Sequence, residues 1–104
     1  MFGFGPKIDA TKISEEVTAG TALLVDVRRD DEWASGHATG AIHLPIERIN
    51  AGEVPTKDTS KKIYLYCLSG GRAGRAAQAL KQNGFDAESI GGLSGWQAAG
   101  GSIE

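Results

Sequence analysis

The chain has 104 residues, which is enough for one compact domain and too few for two. Its formal net charge is -2, so the composition gives no reason to expect nucleic acid or a membrane surface as a partner. A single cysteine excludes a disulfide within the chain, and one cysteine with two histidines is too few for an ordinary zinc site. We therefore expect one domain, residues 1–104, without a metal.

The first ten residues, MFGFGPKIDA, are apolar but lack the basic start and the long apolar core of a signal peptide. No run in the sequence approaches the length of a transmembrane helix. These features predict a cytoplasmic protein. Phe2 and Phe4 would cover a sheet edge or contact a partner, and a weak first strand is predicted at residues 7–8.

Four further apolar segments predict strands, at residues 22–27, 41–44, 62–67 and 87–90. Continuous apolar runs of this length are typical of strands buried on both faces, as in a parallel sheet. Helical patterns lie between them, at residues 9–20, 30–36, 46–52, 74–84 and 93–101. The first has Asp9 or Thr11 as its cap and stops at Gly20. This alternation predicts an α/β fold with a parallel sheet and helices on both faces.

The only cysteine, Cys67, falls at the carboxyl end of the best predicted strand, where ligands bind in open α/β sheets. A tight glycine-containing loop, residues 68–71, separates it from a helix that begins at Arg72. Backbone N–H groups in such a loop, together with the helix N-terminus, favour an anion and should lower the pKa of the thiol. Ser69 could add a hydroxyl donor, and Arg72 and Arg75 add positive charge. We therefore expect a reactive thiolate rather than an inert core cysteine.

The spacing within this segment limits the chemistry. Cysteine phosphatases need five residues between cysteine and arginine to wrap a phosphoryl group, and the loop to Arg72 is one residue too short. A thioredoxin-type mechanism would need a resolving cysteine, which the chain lacks. A papain-like pair would need His37 or His43 as a base, and nothing in the sequence directs either toward Cys67.

With these motifs the chain resembles a single-domain rhodanese, a sulfurtransferase, over nearly its whole length. The first matching part is LLVDVRRDDEWASGHATGAIHLP, the second is the segment from Cys67 to Arg72, and the third is GGLSGWQAAGGSIE. The resemblance implies a sheet of about five strands in the order 1-5-4-2-3.

The resemblance also implies a mechanism without metal or organic cofactor. The thiolate of Cys67 would attack the outer sulfur of a small sulfur-containing anion such as thiosulfate, leaving a persulfide that cyanide, a thiol or a partner protein then discharges. The residues implied to bind substrate are Leu68, Ser69, Gly70, Gly71 and Arg72. The supporting residues are Asp26, Arg28 and Glu32. We expect the protein to act as a monomer.

Three positions depart from the family pattern. Many relatives carry arginine where this chain has Leu68, and often a larger polar residue at Gly71 and serine at Ala73. The lost charge at Leu68 argues against strong thiosulfate binding and favours a polysulfide or a protein persulfide as donor. A persulfide carrier or sensor with negligible turnover is the alternative function. An arsenate reductase or small phosphatase is a third, disfavoured by the loop length.

Several residues have a structural interpretation beside the functional one. Asp26 and Arg28 are favoured as a local ion pair, and Glu32 as a partner of either Arg28 or Arg72. His37 is favoured as a hydrogen-bonded packing residue.

Large aromatic side chains complete the predicted core. Trp33 and Trp96 are expected to pack over the sheet, where a broad apolar surface would be buried.

Overall fold

The computed structural model describes residues 8–104, in which five helices alternate with four strands. The helices are α1 (Ala10–Ala19), α2 (Asp30–Ala34), α3 (Ile46–Asn50), α4 (Gly71–Gln82) and α5 (Leu93–Ala98). The strands are β1 (Ala22–Asp26), β2 (Ile42–His43), β3 (Lys62–Cys67) and β4 (Asp86–Gly92).

All strand pairs in the sheet are parallel, in the order β2-β1-β3-β4. The α/β fold class predicted from the sequence is confirmed. Four strands are described where about five were expected, and these four keep the relative order that the resemblance implied for them. The expected first strand begins at Lys7, outside the described residues, together with Phe2 and Phe4. Ile8 is described and lies in no strand, because the chain turns there into the cap of α1.

The ends of α1 follow from two residues. The carboxylate of Asp9 accepts a hydrogen bond from the N–H of Lys12, so Asp9 rather than Thr11 is the cap. Gly20 ends the helix in the left-handed conformation, at φ 81°, as its position in the sequence predicts.

The sheet is covered on both faces, since successive side chains of a strand point to opposite sides. On one side Ile63, Leu65 and Cys67 of β3 pack in a cluster with residues of α3 and α4. On the other side Tyr64 and Tyr66 of the same strand pack in a second cluster with α1 and Trp96 of α5. The predicted packing of helices on both faces, and of Trp96 over the sheet, is confirmed.

Two features of the described residues bear on membrane and metal binding. No helix between residues 8 and 104 combines the length and apolar character needed to cross a bilayer. Within the same residues, no group of three or more histidine, cysteine, aspartate or glutamate side chains is placed to share a metal ion.

Candidate active site

Cys67 is the last residue of β3 and lies at the carboxyl edge of the sheet. Cys67 is 1% exposed and belongs to the hydrophobic cluster that includes residues of α3 and α4. The alternation of β3 places it there, since Ile63, Leu65 and Cys67 share one face. The sulfur therefore sits at the base of the turn into α4, where the sequence predicts a reactive thiol.

The turn from β3 to α4 brings backbone donors to this sulfur; we call residues 67–72 the Cys67 loop. Gly70 has φ 103°, a conformation that favours glycine, and its N–H donates to Sγ of Cys67 at 2.9 Å. The helix begins at Gly71, one residue before the start expected at Arg72 and three before the helical pattern at residues 74–84, and its first backbone hydrogen bond runs from the N–H of Gly74 to the carbonyl of Gly70. The N–H groups of residues 71–73 thus have no partner within the helix.

These donors favour the charged form of the thiol. Burial by itself raises the pKa of Cys67, since it disfavours the charged form. The N–H groups of Ala73, Gly70, Ser69 and Arg72 lower it, in that order of strength, and the net pKa lies below the ordinary value. Loop amides therefore stabilise a thiolate at a buried position. The contribution of the Ala73 N–H was missed by sequence analysis, because the place of this group near the sulfur follows only once the helix is known to begin at Gly71.

Arg72 lies at the far end of the loop and faces α2. Its two terminal nitrogens donate to the carboxylate oxygens of Glu32 at 2.7 Å and 3.0 Å. The hydrogen bond with Arg72 is the largest of the effects that lower the pKa of Glu32 to about 2. The structure therefore selects Arg72 over Arg28 as the partner of Glu32, a choice that the sequence left open.

The predicted ion pair between Asp26 and Arg28 is present and buried. The guanidinium donates to both carboxylate oxygens of Asp26, at 2.8–3.0 Å, and to the carbonyl of Gly36 at 2.6 Å. Asp26 ends β1, next to β3 in the sheet, and is paired with Tyr66 in the register. The pair thus supports the strand end beside Cys67, while its own charges are satisfied by each other and by backbone.

The remaining residues of the loop line its outer surface. Leu68 is 59% exposed, and Ser69 and Gly71 are also exposed. Arg75 is exposed on the first turns of α4, with a terminal nitrogen 3.8 Å from where a Cβ on Gly71 would lie. The loop therefore presents one large exposed aliphatic side chain, on the residue that follows Cys67 in the chain.

Gly92 lies close against the backbone of the Cys67 loop, a contact that sequence analysis missed. β4 carries one extra residue between its pairings Leu65–Ser89 and Cys67–Gly92, so its register with β3 shifts next to the loop. A Cβ on Gly92 would overlap the carbonyl oxygen of Leu68. The Gly91–Gly92 pair, interpreted as the end of a strand, was the available signal for such a close backbone approach.

Neither histidine is arranged as a base for Cys67. The Nδ1 of His37 lies 3.2 Å from the carbonyl oxygen of Trp33, and the Nε2 of His43 lies 2.7 Å from that of Arg28. Both rings stack on Trp33, with centroids 3.5 Å and 4.9 Å away. His37 is a hydrogen-bonded packing residue, as favoured from the sequence. Trp33 was predicted to pack over the sheet; it stacks on His43 of the edge strand β2 and on His37, and belongs to neither core cluster.

Comparison with known proteins finds relatives of similar sequence in Bacillus subtilis. YqhL, an uncharacterised protein of Bacillus subtilis, is 40% identical over 80 residues, which are 75% of this chain and 63% of YqhL. YrkF of the same organism, whose name provisionally assigns it to sulfur carriers, is 31% identical over 83 residues, 77% of this chain and 43% of YrkF. The chain thus spans less than two thirds of the length of either relative.

A solved structure and a family model complete the comparison. The human single-domain sulfurtransferase TSTD1 superposes with a TM-score of 0.74 at 22% identity, over 90% of this chain and 96% of that one, and so shares the fold. The model of the rhodanese-like domain matches residues 9–99. That match includes the whole sheet, the Cys67 loop and the pair that Arg72 forms with Glu32, so the chain belongs to the rhodanese-like domain family.

Proposed function

We propose that the protein is a sulfurtransferase that carries a sulfane sulfur on Cys67 as a persulfide. One observation carries the proposal: the sulfur of Cys67 accepts a hydrogen bond from the N–H of Gly70, inside a loop whose amides lower the pKa of the thiol. A thiolate held in this way is a nucleophile, and the same amides can hold the anionic outer sulfur of a persulfide.

The proposed reaction has two displacements. With thiosulfate as donor, the Cys67 thiolate attacks the outer sulfur, a bond forms between the two sulfurs, the donor's S–S bond breaks and sulfite leaves. A thiolate or cyanide then attacks the outer sulfur of the persulfide and regenerates the Cys67 thiolate. Neither half needs a cofactor, since the bonding electrons leave with sulfite or return to Cys67.

The first experiment is intact-mass spectrometry of the protein after a pulse of thiosulfate or inorganic polysulfide. We expect a one-sulfur adduct that cyanide removes as thiocyanate. Because Cys67 is the only cysteine, the Cys67→Ser variant should show neither adduct nor thiocyanate above background. Wild-type protein that acquires no sulfur from either donor would contradict the proposal.

A persulfide carrier is the second candidate, and the exposed Leu68 beside Cys67 favours it. A carrier would accept sulfur and hold it until one partner protein arrives, so that turnover with cyanide stays slow. The two functions separate in one measurement: a carrier keeps its adduct through a chase with excess cyanide or a small thiol, and a sulfurtransferase loses it.

A further inference from the structure

The outer surface of the Cys67 loop carries little unpaired charge. Both terminal nitrogens of Arg72 are bound to the carboxylate of Glu32. Arg75 forms no ion pair with any residue of the described range, 8–104, but its side chain is exposed, so water and salt screen its charge. The loop amides are then the chief stabilisation for an incoming anion.

Leu68 determines what else the incoming molecule meets. It follows Cys67 directly, its side chain is 59% exposed, and its carbonyl is held against Gly92. The close backbone approach at Gly92 holds the backbone of Leu68, so the exposed aliphatic side chain is carried on a restrained residue next to Cys67 in the chain.

These features stabilise some sulfur donors at the site more than others, according to the charge of the donor. When thiosulfate, a dianion, meets the Cys67 thiolate, three negative charges gather in one small site, and paired arginine does little to offset them. An organic persulfide, R–S–SH, carries at most one negative charge, when its outer sulfur is ionised, and an apolar group R can bury surface against Leu68.

We infer that the preferred sulfur donor of this site is an organic persulfide with an uncharged, apolar group next to the sulfur, and that Leu68 is the residue that determines this specificity. The inference rests on the proposed function. The Cys67 thiolate attacks the terminal sulfur of R–S–SH, the bond between the donor's two sulfurs breaks, R–S⁻ leaves, and the protein holds Cys67–S–SH. The transferred sulfur keeps its oxidation level and its proton, so no further reactant is needed.

The test compares initial rates of sulfur loading, followed by intact mass, across four donors. These are thiosulfate and the persulfides of propanethiol, 2-mercaptoethanol and 3-mercaptopropionate, each rate normalised to that of the donor with free N-acetylcysteine. For the wild-type protein we expect propyl persulfide to load fastest, followed by the hydroxyethyl donor, the carboxylate donor and thiosulfate.

Two variants at Leu68 separate charge from apolar contact. Leu68→Arg should raise the thiosulfate rate relative to the propyl rate by on the order of tenfold. Leu68→Ala should bring the propyl and hydroxyethyl rates together, since the apolar contact is lost. Ile103→Arg is the matched control, because it adds the same charge at another exposed aliphatic residue, beside Ala38 in the cluster on the opposite face of the sheet from Cys67.

The outcomes of this test distinguish a failure of the inference from a failure of the proposed function on which it rests. If thiosulfate loads wild-type protein at a normalised rate equal to that of propyl persulfide, the inference is wrong and the sulfurtransferase proposal stands. The same holds if Ile103→Arg changes the donor ratio as much as Leu68→Arg does. If no donor loads Cys67, both proposals fail.

Discussion

Two arginine–carboxylate pairs lie where β1 and β3 end, and they differ in burial and in the length of chain that each one closes. Asp26 and Arg28 are two residues apart and buried, with side chains 0% and 4% exposed. Glu32 and Arg72 are 40 residues apart in the chain, with side chains 13% and 22% exposed. In both pairs the guanidinium donates to both carboxylate oxygens, at 2.7–3.0 Å.

The comparison teaches that the same pair of residue types can shape one turn or join two parts of the fold. The buried pair orders the chain just after β1, since the N–H of Arg28 also donates to Asp26 at 2.9 Å. The longer-range pair joins α2 to the Cys67 loop, and so restrains the residue at the end of that loop. We therefore expect loss of the first to act on stability, and loss of the second to act less on stability and more on the loop.

The largest expected effect is that of Arg28→Ala. The change leaves the carboxylate of Asp26 buried without its partner, and removing one member of a buried pair costs about 3–5 kcal/mol of the free energy of unfolding. Urea denaturation followed by circular dichroism measures it. Arg48→Ala is the control, since Arg48 also donates to both carboxylate oxygens of its partner, Glu53, but on the exposed surface. Equal losses of the free energy of unfolding in the two variants would mean that burial does not make the Asp26–Arg28 pair more important for stability than the exposed pair.

Gly92→Ala should have the next largest effect and should act through the Cys67 loop. The new Cβ overlaps the carbonyl oxygen of Leu68, so the loop must shift, at a cost of about 1–3 kcal/mol. Displaced amides should also slow sulfur loading of Cys67 by about tenfold or more. Both quantities are measurable, by urea denaturation and by intact mass after a donor pulse.

Gly74→Ala is the control for this change. Gly74 lies inside α4 with no heavy atom within 4 Å of the new Cβ, so alanine there should stabilise the protein by about 0.5–1 kcal/mol. If both alanine variants load sulfur as fast as the wild type, then the close approach of Gly92 does not hold the loop.

The local features of the fold follow from the sequence. The bounds predicted for β3 are those observed, because the apolar run and the glycine-containing turn after Cys67 are both local signals. The cap at Asp9 and the stop at Gly20 depend on neighbouring residues in the same way. The pair of Asp26 with Arg28 was predictable for the same reason, since it closes within one turn.

The features that the sequence did not decide depend on contacts between distant segments. Two arginines were available to Glu32, and only the packing of α2 beside the Cys67 loop selects Arg72. The contact of Gly92 with Leu68 depends on an extra residue in β4, which shifts the register with β3. The stacking of Trp33 likewise depends on where α2 lies relative to β2.

Glu32→Gln should have the smallest effect of the three, and its dependence on pH is the informative part. The amide keeps an acceptor for Arg72 and removes the charge. Hydrogen bonding by Arg72, with smaller contributions from the N–H of Arg29 and the charges of both arginines, lowers the pKa of Glu32 from 4.5 to about 2, so folding favours the carboxylate. The stability it contributes is therefore fully present above pH 4.5 and is lost as the pH falls toward 2. We expect the free energy of unfolding of the wild type to exceed that of the variant by about 1–2 kcal/mol at pH 7, after allowance for partial exposure. This difference should shrink as the pH falls from 4.5 toward 2.

Urea denaturation of both proteins at steps between pH 7 and pH 2 measures this difference. Glu53→Gln is the matched control, because Glu53 has the same kind of partner, Arg48, but is fully exposed, and there we expect little change at any pH. A difference for Glu32→Gln that stays constant from pH 7 to pH 2 would mean that charge does not join α2 to the Cys67 loop. An amide at residue 32 would then stabilise Arg72 as well as the carboxylate does. The two arginine–carboxylate pairs would differ only in their position in the fold.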